Sequence, residues 1–268
     1  MLEVKKNEMN SIEILFAEIE DSMVIACLQG YMGKAYVDKL PKPGFGVIVS
    51  GEYSFFAENS NLPLAKEMAE NIFEYIEGDS SVAIYSENNL GWRDLLLSIK
   101  SNNPNEIARF GIVQKNYDFD KERLSVFMNS IPKGYEIVRF NEEIYNQSIS
   151  EAWSQEFCET FESAEDYLNK GFGFAVLFKG ELVSGASTMT VYDGGFEIQV
   201  ATNEKHQGHG LGLACASALL LESMKRKVRP CWDAATLISL HMAIKLGYEY
   251  KGEYSTVHLH KTQQLLSI

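Results

Sequence analysis

Hydrophobic and polar positions recur with two different periods along this chain, and the places where the period changes mark its elements. From Ser11 to Leu28 the spacing predicts a helix stopped by Gly30. After the Pro41-Lys42-Pro43-Gly44 turn, alternation over Gly46 to Phe56 predicts a hairpin bent at Ser50-Gly51-Glu52. Leu64, Met68, Ile72 and Ile76 then share one helical face. Val82 to Tyr85 reads as a short buried strand, Leu90 to Ile99 as a helix, Glu106 to Lys115 as a strand and Asp120 to about Ser130 as a helix. Ser130-Ile131-Pro132-Lys133-Gly134 interrupts the patterns on both sides. It predicts an N-terminal α/β domain, residues 1–133, without a catalytic constellation, and a second domain, residues 134–268.

The second domain starts with a strand, Tyr135 to Phe140, and continues through two or three short helices. A meander follows: Phe172 to Phe178, Leu182 to Tyr192 and Phe196 to Thr202, with turns at Lys179-Gly180-Glu181 and Asp193-Gly194-Gly195. A helix from about Gly210 to Lys225 points Leu213, Ala216, Leu220 and Met224 toward a core. Val228 to Asp233 returns as a strand, and the helix Leu237 to Leu246 ends on Gly247. The fold class is α/β (α+β), with a mixed, mostly antiparallel sheet flanked by helices.

Composition narrows the function. The net charge is -13, which argues against sequence-independent nucleic-acid binding and favours a cationic or neutral small-molecule partner. Acidic residues concentrate from Glu142 to Asp166, where Glu142, Glu143, Glu151, Glu156, Glu159, Glu162, Glu165 and Asp166 occur without a Lys or Arg. Such a run is usually a solvated face. No apolar run is long enough for a membrane span, and no signal peptide is visible at the start. Cys27, Cys158, Cys215 and Cys231 lie far apart among apolar neighbours, as expected of buried thiols in a cytoplasmic protein. His258 and His260 alternate on a strand without a carboxylate or thiol to complete a metal set, and no metal is expected. Trp153 and Phe157 sit four apart and read as core contacts, with a wall of the substrate pocket as the alternative.

Chemistry concentrates in Asn203-Glu204-Lys205-His206-Gln207-Gly208-His209-Gly210-Leu211-Gly212, between a strand and a helix. Glycines there let successive backbone N–H groups converge, and the helix start adds unpaired donors at its positive dipole end. That arrangement fits a diphosphate without needing basic side chains. His206 and His209 flank the glycines and read as exposed loop residues, with a contact to phosphate as the alternative. A dinucleotide-binding reading, with Asp233 as the ribose ligand, fails on spacing: several polar residues separate Thr202 from Gly208, and too little chain follows for a doubly wound sheet.

The segment resembles the GNAT superfamily of N-acyltransferases, whose signature (Gln or Arg)-x-x-Gly-x-(Gly or Ala) is matched by Gln207, Gly210 and Gly212. Thr236-Leu237-Ile238-Ser239 followed by Leu246-Gly247-Tyr248 is similar to a late pattern of that family, with Thr236 in place of its usual Asn. The resemblance implies acetyl-CoA as co-substrate and a primary amine as acceptor, acetylated by direct attack in a ternary complex. It implies that Val200, Ala201 and Thr202 pair with the pantetheine arm in a gap beside the Trp232 strand. Gln207, Gly208, His209, Gly210, Leu211 and Gly212 would hold the pyrophosphate, with Thr236, Ser239 or Lys245 on the far side. The acidic run then falls where the family borders its acceptor, which favours a cationic amine. A homodimer is left open.

The chemistry needs a base, an oxyanion donor and an acid. Glu197, on the strand flanking the gap, is the candidate base, and the Val200 or Ala201 N–H the candidate oxyanion donor. Where many members of the family carry a tyrosine acid this chain has Ala243. His241, Tyr248 and Tyr254 are the candidate replacements, with Tyr248 carried as the second catalytic candidate. The alternative is a non-catalytic acyl-CoA-binding sensor that kept the cofactor loop and lost its acid and base.

Overall fold

In a computed structural model describing residues 1–76 and 78–262, the chain divides into two compact units, Met1–Arg109 with Glu253–Ile268 and Phe110–Gly252. The first unit opens on strand β1 (Leu2–Glu3) and two 3₁₀ turns, Lys6–Ser11 and Glu13–Phe16. The helix expected over Ser11 to Leu28 is confined to α1 (Ser22–Leu28), because Asp21 caps it through Met23 N–H at 2.7 Å and fixes the start at Ser22. Next come β2 (Lys34–Val37), β3 (Phe45–Ser50), β4 (Tyr53–Glu58), α2 (Pro63–Glu70), β5 (Ser80–Tyr85), α3 (Gly91–Ser98) and β6 (Asn105–Val113). Trp92, Phe45 and Phe56 centre the core of this unit, with Met68, Ile72 and Leu96 against them.

The second unit contains α4 (Lys121–Met128), β7 (Tyr135–Arg139), α5 (Glu142–Ile149), a 3₁₀ turn Gln155–Phe157, α6 (Ala164–Lys170), β8 (Gly173–Phe178), β9 (Glu181–Tyr192) and β10 (Gly195–Thr202). It continues through α7 (Leu211–Arg226), β11 (Arg229–Cys231) and α8 (Leu237–Leu246) into β12 (Glu249–His260). Asp120, Asn141, Ser163 and Thr236 cap α4, α5, α6 and α8 with their side chains. Five strands form one sheet in the order β11-β10-β9-β8-β7, and seven form the other, β1-β2-β3-β4-β5-β12-β6.

The compact units meet in the chain between Arg109 and Phe110, not at Ser130 to Gly134. The reason is α4, which packs along α7 and so belongs with the second sheet, although Pro132 and Gly134 do interrupt the chain after it. β12 likewise runs on past Gly252, and its Val257 to His260 segment pairs antiparallel with Ala83 to Ser80 in the first unit. His258, expected at the surface, is half-buried there with its Nε2 unpartnered.

Two stretches of the chain pass through the same order: helical entry, three antiparallel strands, a helix, a strand parallel to the last of the three, another helix and a long strand. They differ where that parallel strand is laid down. In the first unit β4 and β5 stay paired from Tyr53↔Val82 through Phe56↔Tyr85, and the loop after β4 carries Pro63 at the helix start instead of glycine. In the second, β10 and β11 pair only over Gly195↔Arg229, Phe196↔Pro230 and Glu197↔Cys231, and β10 runs on to Thr202 alone on that side.

Close approach at the start of this pairing requires Gly195. A Cβ there would sit 2.2 Å from the Tyr192 hydroxyl and 2.8 Å from the Arg229 carbonyl oxygen. Gly195→Ala is therefore expected to destabilise the protein by about 1–3 kcal/mol, the cost of overpacking, read as a lower urea midpoint at unchanged m-value.

All four cysteines are free and buried. Burial pushes the Cys27, Cys158 and Cys215 thiols up to about 12. At pH 8 these three have essentially no thiolate, so they should resist a disulfide reagent in the native protein and react once it is unfolded in urea. Because their folded values lie above the ordinary 9.0, their contribution to stability is complete below pH 9 and is lost as pH climbs toward 12. The urea midpoint should fall across that window.

Candidate functional site

What separates β11 from β10 is a change of hydrogen-bond partner. After Cys231 the main chain no longer pairs with β10. Trp232 N–H donates to Gln114 Oε1 at 3.0 Å, and Gln114 Nε2 donates to the Trp232 carbonyl at 2.9 Å. Phe110 and Ala234 then exchange N–H to carbonyl bonds of 2.9 and 3.3 Å. Inside the fork, Glu197 Oε1 accepts from Asp233 N–H at 3.0 Å, tying the departing strand to the last paired residue of β10. The result is a V whose vertex is the Glu197↔Cys231 pair and whose open wall is Ile198 to Thr202.

The two faces of β10 are distinguishable. A Cβ on Gly212 would meet Thr202 Oγ1 at 3.2 Å and Val200 Cγ1 at 3.3 Å, so Val200 and Thr202 face α7. Glu197, Gln199 and Ala201 alternate to the opposite face. There Gln199 Nε2 donates to Glu156, and Gly185, opposite Ala201, lies against the Phe157 ring. Half-buried Trp153 meets the same ring edge-on at 6.0 Å. Thr190, opposite Glu197 in register, shares its face.

Beside the open wall, the chain turns through Glu204–His206 and enters α7. Gly208 and Gly210 adopt φ of +79° and +73°, a conformation that costs other residues energy, and a Cβ on either would meet nothing within 4 Å. Gly210 is the N-cap of α7 and supplies no side-chain cap, and no acidic residue occupies the first turn. Leu211, Gly212 and Leu213 thus present N–H groups that have no acceptor within the helix, at its positive end. This cradle fits a diphosphate.

Histidines expected to idle in solvent hold the loop in shape. The His209 Nδ1 lies 3.2 Å from the His206 carbonyl and 2.9 Å from that of Gln207. Both partners only accept, so Nδ1 carries the proton. The His206 ring sits edge-on to Tyr135 and its Nδ1 is 2.9 Å from the Tyr135 hydroxyl. Gln207 Nε2 donates to the Thr202 carbonyl at 3.3 Å, closing the loop onto the end of β10.

The structure gathers Val200, Ala201, Thr202 and Gln207 to Gly212 along one stretch, with Glu197 at the vertex. It gives other work to Thr236 and Ser239. Thr236 Oγ1 accepts from Ser239 N–H at 3.2 Å as the cap of α8, and Ser239 Oγ accepts the Trp232 indole N–H at 3.0 Å. Tyr248, assigned the acid's part from sequence, is fully buried, and its hydroxyl donates to the Pro230 carbonyl at 3.0 Å. Burial, then the neighbouring Cys231 and Glu197, hold that phenol well above its ordinary value. Its proton braces β11 and is not poised for transfer. Gln114 and Tyr135 were missed because each acts through a contact distant in sequence, and neither carries a local signal.

Among the described residues there is no group of His, Cys, Asp or Glu arranged to hold a metal, and no helix is long and apolar enough to cross a membrane.

A mixed sheet forked between parallel strands, with a glycine-opened helix start beside the fork, defines an acyltransferase. The chain belongs to the GNAT acetyltransferase family, which it matches over residues 13–257. It is 25% identical over 261 residues to the uncharacterized N-acetyltransferase YdfB of Bacillus subtilis strain 168, covering 94% of this chain and 96% of that one. The crystal structure of a GCN5-related N-acetyltransferase-like protein from Streptococcus suis 89/1591 superposes with a TM-score of 0.85 at 29% identity, covering 95% and 99% of the two chains. A GCN5-related N-acetyltransferase from Kribbella flavida shares the fold, with a TM-score of 0.55 at 14% identity over 98% and 97%.

Proposed function

We propose that this acetyltransferase uses acetyl-CoA and transfers the acetyl group to a primary amine by direct attack in a ternary complex. The fork between β10 and β11 is the observation that carries the reading. Its exposed β10 edge can pair through Val200, Ala201 and Thr202 with the amides of a pantetheine arm, while Gln207 to Leu213 offer main-chain donors to the pyrophosphate. Members of the family generally use acetyl-CoA, whose thioester supplies the activated acyl group.

In this reading the Val200 or Ala201 N–H polarises the acyl carbonyl, and Glu197 removes the proton of the attacking ammonium directly or through a water. Thr236 and Ser239 shape the mouth of the fork through α8 and Trp232. Tyr248 braces β11 through Pro230.

Calorimetric titration with acetyl-CoA, followed by a primary-amine panel scored by thiol release, tests the proposal. Saturable binding and amine-dependent release of free CoA are expected. Absence of heat with acetyl-CoA, or binding with no turnover on any amine, would remove it.

A further inference from the structure

We infer that Glu156, held by Gln199, selects acceptors bearing a second positive charge beyond the amine that is acetylated. The inference deepens the proposed amine acetylation and rests on it. The cofactor loop and α7 take one face of β10, where Val200 and Thr202 point. An acceptor must therefore approach the fork from the other face, which carries Glu197 and, two residues on, Gln199.

That face is acidic at defined points. Within the run from Glu142 to Asp166, the Glu156 carboxylate reaches β10 through the Gln199 amide. It enters from the Gln155–Phe157 turn, whose Phe157 is fully buried against Gly185 and fixes the turn in place. A second observation points independently to a ligand. Thr190 is completely buried and lies opposite Glu197 on the same face, yet its Oγ1 has no hydrogen-bond partner. An ammonium brought to Glu197 carries three N–H donors, enough to reach both the carboxylate and this hydroxyl. Gln199 stands one strand repeat away and holds Glu156 beyond it, beside the acceptor's other end. Together these groups fit a diamine or a lysine-like amine, not a neutral alkylamine.

The test compares 1,5-diaminopentane with 5-amino-1-pentanol, which matches its length and replaces the second ammonium with a hydroxyl. Wild-type kcat/KM should favour the diamine at least tenfold, mostly through KM, and the advantage should shrink in high salt. Glu156→Gln should bring the ratio close to one. Glu156→Lys should turn the preference toward 5-aminopentanoate, and acetyl-CoA titration of each variant verifies that it is folded. Equal kcat/KM for the two amines in the wild type, or a preference that survives in Glu156→Gln, overturns the inference while leaving amine acetylation standing. Failure to acetylate any amine overturns both.

Discussion

Gly210→Asp is expected to raise the Kd for acetyl-CoA about a hundredfold without unfolding the protein. Gly210 sits at φ +73° as the cap of α7, and nothing lies within 4 Å of where a Cβ would project. The substitution thus meets no steric barrier, and Asp is among the few residues that visit this backbone region at modest cost. What it does introduce is a carboxylate at the mouth of the amide cradle. Two like charges 4 Å apart repel by about 4 kcal/mol in a surface-like dielectric. Screening at this exposed loop reduces that to roughly 2–3 kcal/mol, or about two decades in affinity. Gly210→Asn has nearly the same shape and backbone preference without the charge, so it should weaken binding only several-fold. Calorimetry on the two variants, with melting temperatures as a check on folding, separates charge from strain. Equal Kd values for the aspartate and asparagine variants would show that the pyrophosphate lies elsewhere.

The part of this site that was legible in the sequence is the part built from local rules. Gly208, Gly210 and Gly212 between a strand and an apolar helix marked a glycine-opened helix start, because positive φ and helix ends leave their mark in residue type. The meander from Phe172 to Thr202 was equally visible through alternation and its glycine turns. Non-local pairings left no such mark. Nothing in Arg229 to Asp233 says that its pairing with β10 stops at Cys231, because that outcome is set by Gln114 and Phe110, more than a hundred residues earlier. The strand read as Val228 to Asp233 is accordingly short, Arg229–Cys231. Pro132 and Gly134 marked a break in the chain, whereas the compact unit begins earlier because α4 packs on α7. Tyr248 was carried as a substitute for the tyrosine that Ala243 replaces, but full burial beneath β11 gives its proton to a carbonyl. His209 read as a plain loop residue, and only the geometry reveals that its ring ties two carbonyls of the loop together.

Glu197 serves two purposes that different substitutions should separate. Its Oε1 accepts the Asp233 N–H and so helps hold the fork, and its carboxylate stands at the vertex where an ammonium would arrive. Glutamine keeps an acceptor oxygen in nearly the same place but cannot take up a proton. Glu197→Gln should therefore lower kcat by about 10²- to 10³-fold, within the range for loss of a general base, while the Kd for acetyl-CoA stays within about twofold. Alanine removes both functions. It leaves the Asp233 N–H without its charged acceptor, which costs about 1.5–3 kcal/mol where the group stays shielded from water, and it loosens the wall that the thioester rests against. Glu197→Ala should match the glutamine variant in kcat and, unlike it, raise the acetyl-CoA Kd by tenfold or more. Steady-state kinetics with calorimetry on both variants decides the matter. If Glu197→Gln keeps more than a third of the wild-type kcat, the carboxylate is only a brace for β11, and the proton of the attacking amine leaves by another route.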